Sequence, residues 1–217
     1  QRGEMVLDYN RWVMVRKHDE SAGAPETVLP ELPGVVAPEA LQIPKSLDLS
    51  AYDFELAGAS HRWGEYAIGE KIDHIDGMTI EEAEHQIATR LYQNTAKVHF
   101  DQVAAGAGRF GKRLIYGGHI ISLARALSFN GLGNGFRIAA INAGAHANPA
   151  FAGDTVFAWS EVLDKFEIPG RRDIGALRLR LVAVRDRQAS DFPLRDAEGK
   201  YDSGVLLDFD YTVLIPR

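Results

Sequence analysis

Residues 116–132, YGGHIISLARALSFNGL, decide the fold because they predict a helix that is apolar on nearly every face. The segment opens with Gly117 and Gly118, and the glycines at 131, 133 and 135 close it in the way typical of helix ends. A helix that is hydrophobic all round is stable only when it is covered on most sides. The rest of the chain therefore has to supply a surface that surrounds this helix.

Five segments rich in β-prone residues are available to form that surface. One precedes the helix, at residues 66–75, and ends at the turn signal Asp76-Gly77. Four follow it, at residues 136–145, 154–166, 174–187 and 205–215. A sheet that curls around the helix would bury its apolar surface best, given one such helix among long antiparallel strands. We therefore predict an α+β protein with the hot-dog fold, in which a curved antiparallel sheet wraps a central helix.

A second helix is predicted at residues 80–92, followed by a polar segment that ends at Asp101. Thr79 and Glu82 match a capping box at the start of this helix. The apolar residues near helical spacing are Ile80, Ala83, Ile87, Ala88 and Leu91. Where this pattern ends, Asn94 precedes His99 by five positions. A polar pair beside a glycine-led helix is suited to polarising a carbonyl and moving a proton next to it.

Composition narrows the class of protein. The chain has 217 residues, of which 46% are hydrophobic and 25% are charged, as in an ordinary soluble globular protein. A net charge of −6 argues against nucleic acid or an anionic membrane as the main partner. Without cysteine there are no disulfides, thiolate nucleophiles or zinc–thiolate sites. The start, QRGEMVLDYNRWV, does not resemble a signal peptide and no apolar run is long enough to cross a bilayer, so we expect a cytoplasmic protein.

The two ends of the chain share a pattern. Residues 6–17, VLDYNRWVMVRK, align without gaps with residues 206–217, LLDFDYTVLIPR. Such a match can arise by chance between two strands, or residues 1–17 can hold the last strand, at 5–17, of a first copy of the domain that is mostly absent. Residues 18–60 contain five prolines without a lasting period and predict an extended linker. On the second reading, residues 61–217 form the C-terminal domain.

Four motifs occur in an order seen in one enzyme family. They are TIEEA at 79–83, NTAKVH at 94–99, IYGG at 115–118 and PAFAGDT at 149–155. In this order they resemble the MaoC-like, (R)-specific enoyl-CoA hydratases, and NTAKVHFD followed by residues 116–132 is most similar to the mesaconyl-CoA hydratase (β-methylmalyl-CoA dehydratase) branch. The resemblance covers residues 63–217. Because that branch is built from two hot-dog halves, it implies that this chain is the C-terminal half of a double hot-dog.

The resemblance also implies a reaction and its residues. The reaction is the reversible hydration of an α,β-unsaturated acyl-CoA, such as mesaconyl-CoA to β-methylmalyl-CoA. The family motif is Asp-x-Asn-Pro-x-His; His99 is kept, whereas Asn94 stands in the place of the aspartate. An amide cannot accept a proton as a carboxylate would, so either His99 is the main base with Asn94 orienting the water, or a carboxylate such as Asp101 takes part. Gly118 would donate its N–H to the thioester oxygen, and His119 is a further candidate.

The remaining expectations concern binding. Tyr116 and Gly117 are candidates for contacting the substrate, and Arg109, Lys112 and Arg113 for binding CoA phosphates or a free carboxylate. We expect no metal and no cofactor, because the thioester supplies the electron sink and CoA enters as part of the substrate. The expected partners are the acyl-CoA and other copies of the chain, in a homodimer or higher homo-oligomer. Two alternatives stay open: a hot-dog acyl-CoA thioesterase, and a non-catalytic half that completes a partner's active site.

Overall fold

The computed structural model describes residue 3, residues 7–12 and residues 17–217. The chain divides into two units, residues 1–32 and residues 33–217. The described residues of the first unit are exposed and form no helix or strand, apart from a turn in which the Asp19 carboxylate accepts the Ser21 N–H. Residues 5–6 and 13–16 of the strand predicted at residues 5–17 lie outside the described residues, so the strand and the repeat built on it stay predictions.

The second unit is a five-stranded sheet with helices inserted before and after its first strand. Its elements are β1 Lys71–Thr79, α1 Glu82–Leu91, α2 Gln102–Gly106, α3 Gly117–Leu127, α4 Phe129–Leu132, β2 Arg137–His146, β3 Thr155–Glu167, β4 Ile174–Arg185 and β5 Val205–Pro216. Short 3-10 helices lie at Pro38–Ala40, Trp63–Glu65 and Lys97–His99. The strand order is β1-β3-β4-β5-β2, and all neighbours are antiparallel. The four strands predicted after the buried helix are confirmed to within about two residues at each end.

One face of the sheet packs on α3. Odd-numbered residues of β4, from Leu177 to Ala183, and of β5, from Leu207 to Ile215, are buried in one cluster with the apolar side of α3. On that side α3 contributes Ile120, Leu123, Ala124 and Leu127. The period of two along each strand is what places these residues on one face. The predicted arrangement, an antiparallel sheet around one buried helix, is confirmed.

The opposite face of the sheet is covered by two segments of the same unit. Leu41 and its partly buried neighbours pack on Ile174 and Leu214 at one end. The loop between β4 and β5 packs on Trp159 and Val182 at the other end. Between the two covered areas, Arg178 pairs with Asp210 at 2.6 Å. The compact unit therefore starts at Pro33, earlier in the chain than the predicted start at residue 61.

The two local predictions between β1 and α1 are wrong. Asp76-Gly77 does not end the strand, because β1 continues to Thr79 through a bulge in which Ile75 has a φ of 64°. The bulge absorbs the turn-prone residues without ending the pairing with β3. Thr79 is therefore a strand residue, and α1 starts from Glu81 without a side-chain cap.

The long apolar helix is shorter than predicted. α3 ends at Leu127, and Gly131, with a φ of 97°, interrupts the short α4 that follows. Across residue 3 and residues 7–12 and 17–217, no helix combines the length and apolar character that a bilayer crossing needs.

Candidate active site

The N-terminus of α3 presents two backbone donors. Tyr116 is the N-cap, and the N–H groups of Gly117 and Gly118 are among the first four of the helix, which have no intrahelical acceptor. A Cβ at position 117 would lie 2.4 Å from Nε2 of His146, and one at position 118 would lie 2.5 Å from Cε1 of Tyr116. A side chain at either position would therefore force the neighbouring ring to move. The donors point from the positive end of the helix dipole, which suits a developing negative charge.

His99 lies beside this helix start, at the end of the 3-10 helix that follows α1. Its Nδ1 is 3.0 Å from the carbonyl oxygen of Leu114. A carbonyl only accepts, so Nδ1 carries the proton and Nε2 of the neutral ring is left as a base. The His99 ring meets the Tyr116 ring edge to face, with the centroids 5.7 Å apart. The structure thus brings His99, Tyr116 and the two glycines together.

Two more histidines border the same helix start, and the sequence analysis gave neither a role. His146, the last residue of β2, packs against Gly117. His85 of α1 is only 2% exposed, and its Nε2 accepts the backbone N–H of Tyr116 at 2.8 Å. A usable signal for His85 was its helical spacing with Ala88 and Thr89, because these three residues form the buried side of α1.

The large apolar residues of α1 point away from the core. Ile87 is 50% exposed and Leu91 is 73% exposed, whereas the buried side carries His85 and Thr89. Arg113 donates to Gln86 and to Glu82, which fastens the same helix to the segment that leads into α3. Polar contacts therefore fix the orientation of α1.

Burial favours the neutral form of three histidines around α3, namely His85, His119 and His146. It lowers the pKa of His85 to about 4, and the nearby His119, His99 and Arg113 add to this effect. Burial also lowers the pKa of His119 and of His146. His119 is 5% exposed, and its Nε2 has no hydrogen-bond partner among the described residues. Near neutral pH, the helix terminus rather than these three imidazoles supplies the positive potential of the site.

The two other predicted polar residues serve local turns. The side-chain oxygen of Asn94 accepts the Ala96 N–H at 2.9 Å. Asp101 is the N-cap of α2 and accepts the Ala104 N–H at 3.0 Å. Within residues 17–217, neither side chain hydrogen-bonds to His99. Asn94 and Asp101 are therefore close to His99 in sequence, but neither side chain forms a hydrogen bond with its imidazole.

The three basic residues of the predicted CoA-binding loop differ in their surroundings. Arg113 is largely buried, and its guanidinium donates hydrogen bonds to Glu82 and Gln86. Arg109 and Lys112 are exposed, and Lys112 Nζ lies 3.9 Å from the centre of the Phe151 ring. Only Arg109 and Lys112 are thus open to a ligand. Among the residues that the structure describes, no group of three or more His, Asp or Glu side chains could hold a metal ion.

A surface cleft of about 720 Å³ lies at the other end of the sheet, around the turn between β3 and β4. It is lined by Arg171, Arg172 and Arg217 together with Glu167, and it contains no histidine. The cleft has no group suited to proton transfer near neutral pH. The start of α3 is therefore the better candidate for chemistry.

The whole chain is similar to two known enzymes, although no family model matches it. It is 62% identical over all 217 residues to β-methylmalyl-CoA dehydratase of Chloroflexus aurantiacus. It is also 62% identical, over 219 aligned positions, to mesaconyl-CoA hydratase of Cereibacter sphaeroides. In both cases the chain spans 62% of the relative's length.

Two solved structures also resemble this chain. A MaoC-domain dehydratase from Chloroflexus aurantiacus matches 94% of this chain and 58% of its own, with a TM-score of 0.88 and 62% identity. The resemblance to MaoC-like proteins is confirmed. A Mycobacterium tuberculosis protein with a double hot-dog fold matches 81% of this chain and 48% of its own, with a TM-score of 0.54 and 19% identity. The predicted hot-dog fold is confirmed as well.

Proposed function

We propose that the protein is a hydro-lyase that reversibly adds water to an α,β-unsaturated acyl-CoA, with mesaconyl-CoA and β-methylmalyl-CoA as its substrate and product. The observation that carries this proposal is the pairing of N–H donors at Gly117 and Gly118 with His99, whose Nε2 has no hydrogen-bond partner among the described residues. The names of the two curated relatives, a dehydratase and a hydratase of this acyl-CoA pair, support the same substrate.

The proposed mechanism uses the helix start as an oxyanion site. The thioester oxygen accepts the Gly118 N–H, so negative charge that develops as water adds is stabilised at the positive end of α3. Nε2 of His99 takes a proton from the water as its oxygen bonds to the β-carbon. The same proton then passes to the α-carbon, so that one water is added in total. The thioester is the electron sink, and the proposal requires no further cofactor.

His99 is the base in this mechanism because the amide beside it cannot be one. Asn94 uses its oxygen to accept the Ala96 N–H, which leaves its NH₂ group as a donor. A donor can orient the water but cannot take its proton. Asp101 is engaged at the start of α2, and in this proposal it caps that helix and does not take part in proton transfer.

Binding of CoA is assigned to the exposed part of the basic loop. Arg109 and Lys112 lie beside Phe110 and Phe151, whose rings meet edge to face with centroids 5.7 Å apart. In the proposal these two cations contact the CoA phosphates. Arg113 instead supports α1.

The proposed assembly is a homodimer or higher homo-oligomer. β2 is an edge strand of the sheet, and Ile141 on it is 61% exposed. An open edge with exposed apolar side chains favours pairing with another strand. Light scattering on the purified protein measures its mass directly, and a monomer at micromolar concentration would contradict the assembly. A cytoplasmic location stays a prediction.

The function is tested by offering the purified protein mesaconyl-CoA, crotonyl-CoA and acetyl-CoA. Loss of the conjugated enoyl-thioester absorbance measures hydration, and release of free thiol measures thioester hydrolysis. We expect hydration of mesaconyl-CoA without thiol release. Thiol release would favour the thioesterase, and no reaction would favour a half that only completes a partner's site.

Variants at two histidines test the assigned base. His99→Ala should lower kcat for hydration by at least about 100-fold, because general acid–base catalysis contributes roughly that much. His61→Ala, at an exposed histidine with no part in the proposed mechanism, is the matched control and should leave kcat unchanged. Circular dichroism and thermal unfolding of both variants show whether the fold is intact. Retained turnover in His99→Ala would remove His99 from the chemistry.

A further inference from the structure

One partly buried hydrogen bond joins α1 to the start of α3. Its acceptor is Nε2 of His85, its donor is the backbone N–H of Tyr116, and the distance is 2.8 Å. The two residues are 31 positions apart in the chain. The steps of the proposed hydration do not involve His85, so a different reason is needed for a buried histidine at this point.

The bond occupies the place of a missing helix cap. The N–H of an N-cap residue is ordinarily accepted by a side chain at the third position of the same helix, as in a capping box. In α3 that third position is His119, whose Nε2 has no hydrogen-bond partner among the described residues. Its ring lies 5.6 Å from the ring of His85. His85 therefore supplies from α1 the acceptor that α3 lacks.

Holding the Tyr116 N–H also holds the groups around it. The Tyr116 ring covers Gly118 closely enough to exclude a Cβ and meets the His99 ring. On α1, Glu82 and Gln86 flank His85, and both accept from Arg113, three residues before Tyr116. The backbone that leads into α3 is thus fastened to α1 at two points, one on each side of Leu114.

We propose that His85 is a positioning residue for the hydration reaction: by accepting the Tyr116 N–H, it sets the start of α3 so that the Gly118 N–H and Nε2 of His99 act on the same acyl-CoA. His85 works through Tyr116 and does not touch the substrate. The inference rests on the proposed function, because the orientation it explains is that of the oxyanion site and the base.

The position requires an acceptor and not an acid or base. A backbone N–H only donates, so the imidazole must leave Nε2 unprotonated and carry its proton on Nδ1. Protonation of Nε2 would set two donors against each other. Any uncharged side chain of similar size with an acceptor atom should therefore replace His85, whereas one without a good acceptor should not.

Glutamine and methionine are a matched pair for this test, because the two side chains are similar in size and differ mainly in the acceptor. We expect His85→Gln to keep kcat within about threefold of the wild type, and His85→Met to lower kcat by about 100-fold at nearly constant KM, the loss typical of a displacement of about 1 Å. Activity is expressed per folded protein from thermal unfolding of each variant. Ile87→Gln, on the exposed side of α1, is the surface control.

Two kinetic results would overturn the proposal. If His85→Met is as active as the wild type, the acceptor is not needed. If His85→Gln is as impaired as His85→Met, the imidazole itself exchanges protons or is needed for its shape.

A measurement on the wild-type protein keeps the proposal testable if His85→Met does not fold. Nitrogen-15 NMR of the imidazole at pH 7 should show an unprotonated Nε2 and a hydrogen-bond coupling to the Tyr116 N–H. A proton on Nε2 would overturn the proposal. This measurement is independent of turnover. An inactive wild-type protein with the expected His85 signals would refute the proposed function alone, whereas an active one with a protonated Nε2 would refute the role of His85 alone.

Discussion

Gly118→Ala should separate catalysis from stability. The added Cβ would lie 2.5 Å from Cε1, 2.7 Å from Cζ and 2.8 Å from the hydroxyl of Tyr116. Carbon atoms in ordinary contact are about 3.5 to 4 Å apart, so the ring has to move by roughly 1 Å. Tyr116 is half-buried and its ring is the far end of a side chain, so it can swing aside. The clash therefore acts on the site more than on the core.

Two magnitudes follow from this geometry. Alanine is a better helix former than glycine by up to about 1 kcal/mol, which offsets the cost of moving the ring, so the free energy of unfolding should stay within about 1 kcal/mol of the wild type. A displacement of about 1 Å beside the reacting groups is expected to lower kcat by about 100-fold, or about 2.7 kcal/mol in the barrier. Activity should therefore fall while stability is kept.

The assay combines steady-state hydration of mesaconyl-CoA with urea unfolding of the same preparation. Gly106→Ala is the matched control, since its Cβ in α2 would meet only Nε2 of Gln102, at 3.7 Å. Wild-type kcat in Gly118→Ala would refute the assigned geometry of the helix start. A loss of activity that only follows a loss of folded protein would refute the argument from ring displacement.

Three further predictions concern binding, pH and the core. Lys112→Ala should raise KM for the acyl-CoA about fivefold at low salt and less at high salt, because an exposed ion pair contributes up to about 1 kcal/mol; an unchanged KM at low salt would contradict the CoA contact. Burial lowers the pKa of His74 from 6.5 to about 4, so its neutral form stabilises the fold fully above pH 6.5 and less as the pH falls towards 4. Between pH 7 and pH 5 this should cost about 2 kcal/mol, so the fall in the free energy of unfolding over that range, measured with urea, should be about 2 kcal/mol smaller in His74→Asn than in the wild type. Leu179→Ala, at a fully buried position facing α3, should reduce the free energy of unfolding by about 2 to 5 kcal/mol, and a loss well below 1 kcal/mol would contradict its place in the core.

The sheet could be predicted from the sequence because its signal is local. β4 alternates so that Leu177, Leu179 and Leu181 face α3, and a period of two is visible without knowledge of the partner strands. The same reasoning failed at α1, where Ile87 and Leu91 suggested a buried side that lies in solvent. The orientation of α1 is set by hydrogen bonds to Arg113 and Tyr116, and a hydrophobic pattern carries no information on those partners.

In the candidate site, too, some residues could be predicted from the sequence and others could not. His99, Tyr116 and Gly118 lie in short motifs whose residue types already indicate a base and a helix start. His85 and His146 reach the site from α1 and from the end of β2, and each matters only because of what it meets there, a backbone N–H or Gly117. Contacts of this kind appear only once the chain has folded.

The strand order has a consequence for how the chain reaches its native state. β3 and β4 are joined by the short connection at residues 168–173, whereas Arg137 at the start of β2 pairs with Leu214 near the end of the chain. Closing a longer loop costs more entropy, so the β3–β4 hairpin is expected to form early and β2 to join the sheet late. His146 is the last residue of β2, so the wall that it forms beside Gly117 is among the last parts to be completed. Pulse-labelling hydrogen exchange during refolding would report this order as protection of β2 after that of β3 and β4, so the candidate site would be completed only after the β3–β4 hairpin has formed.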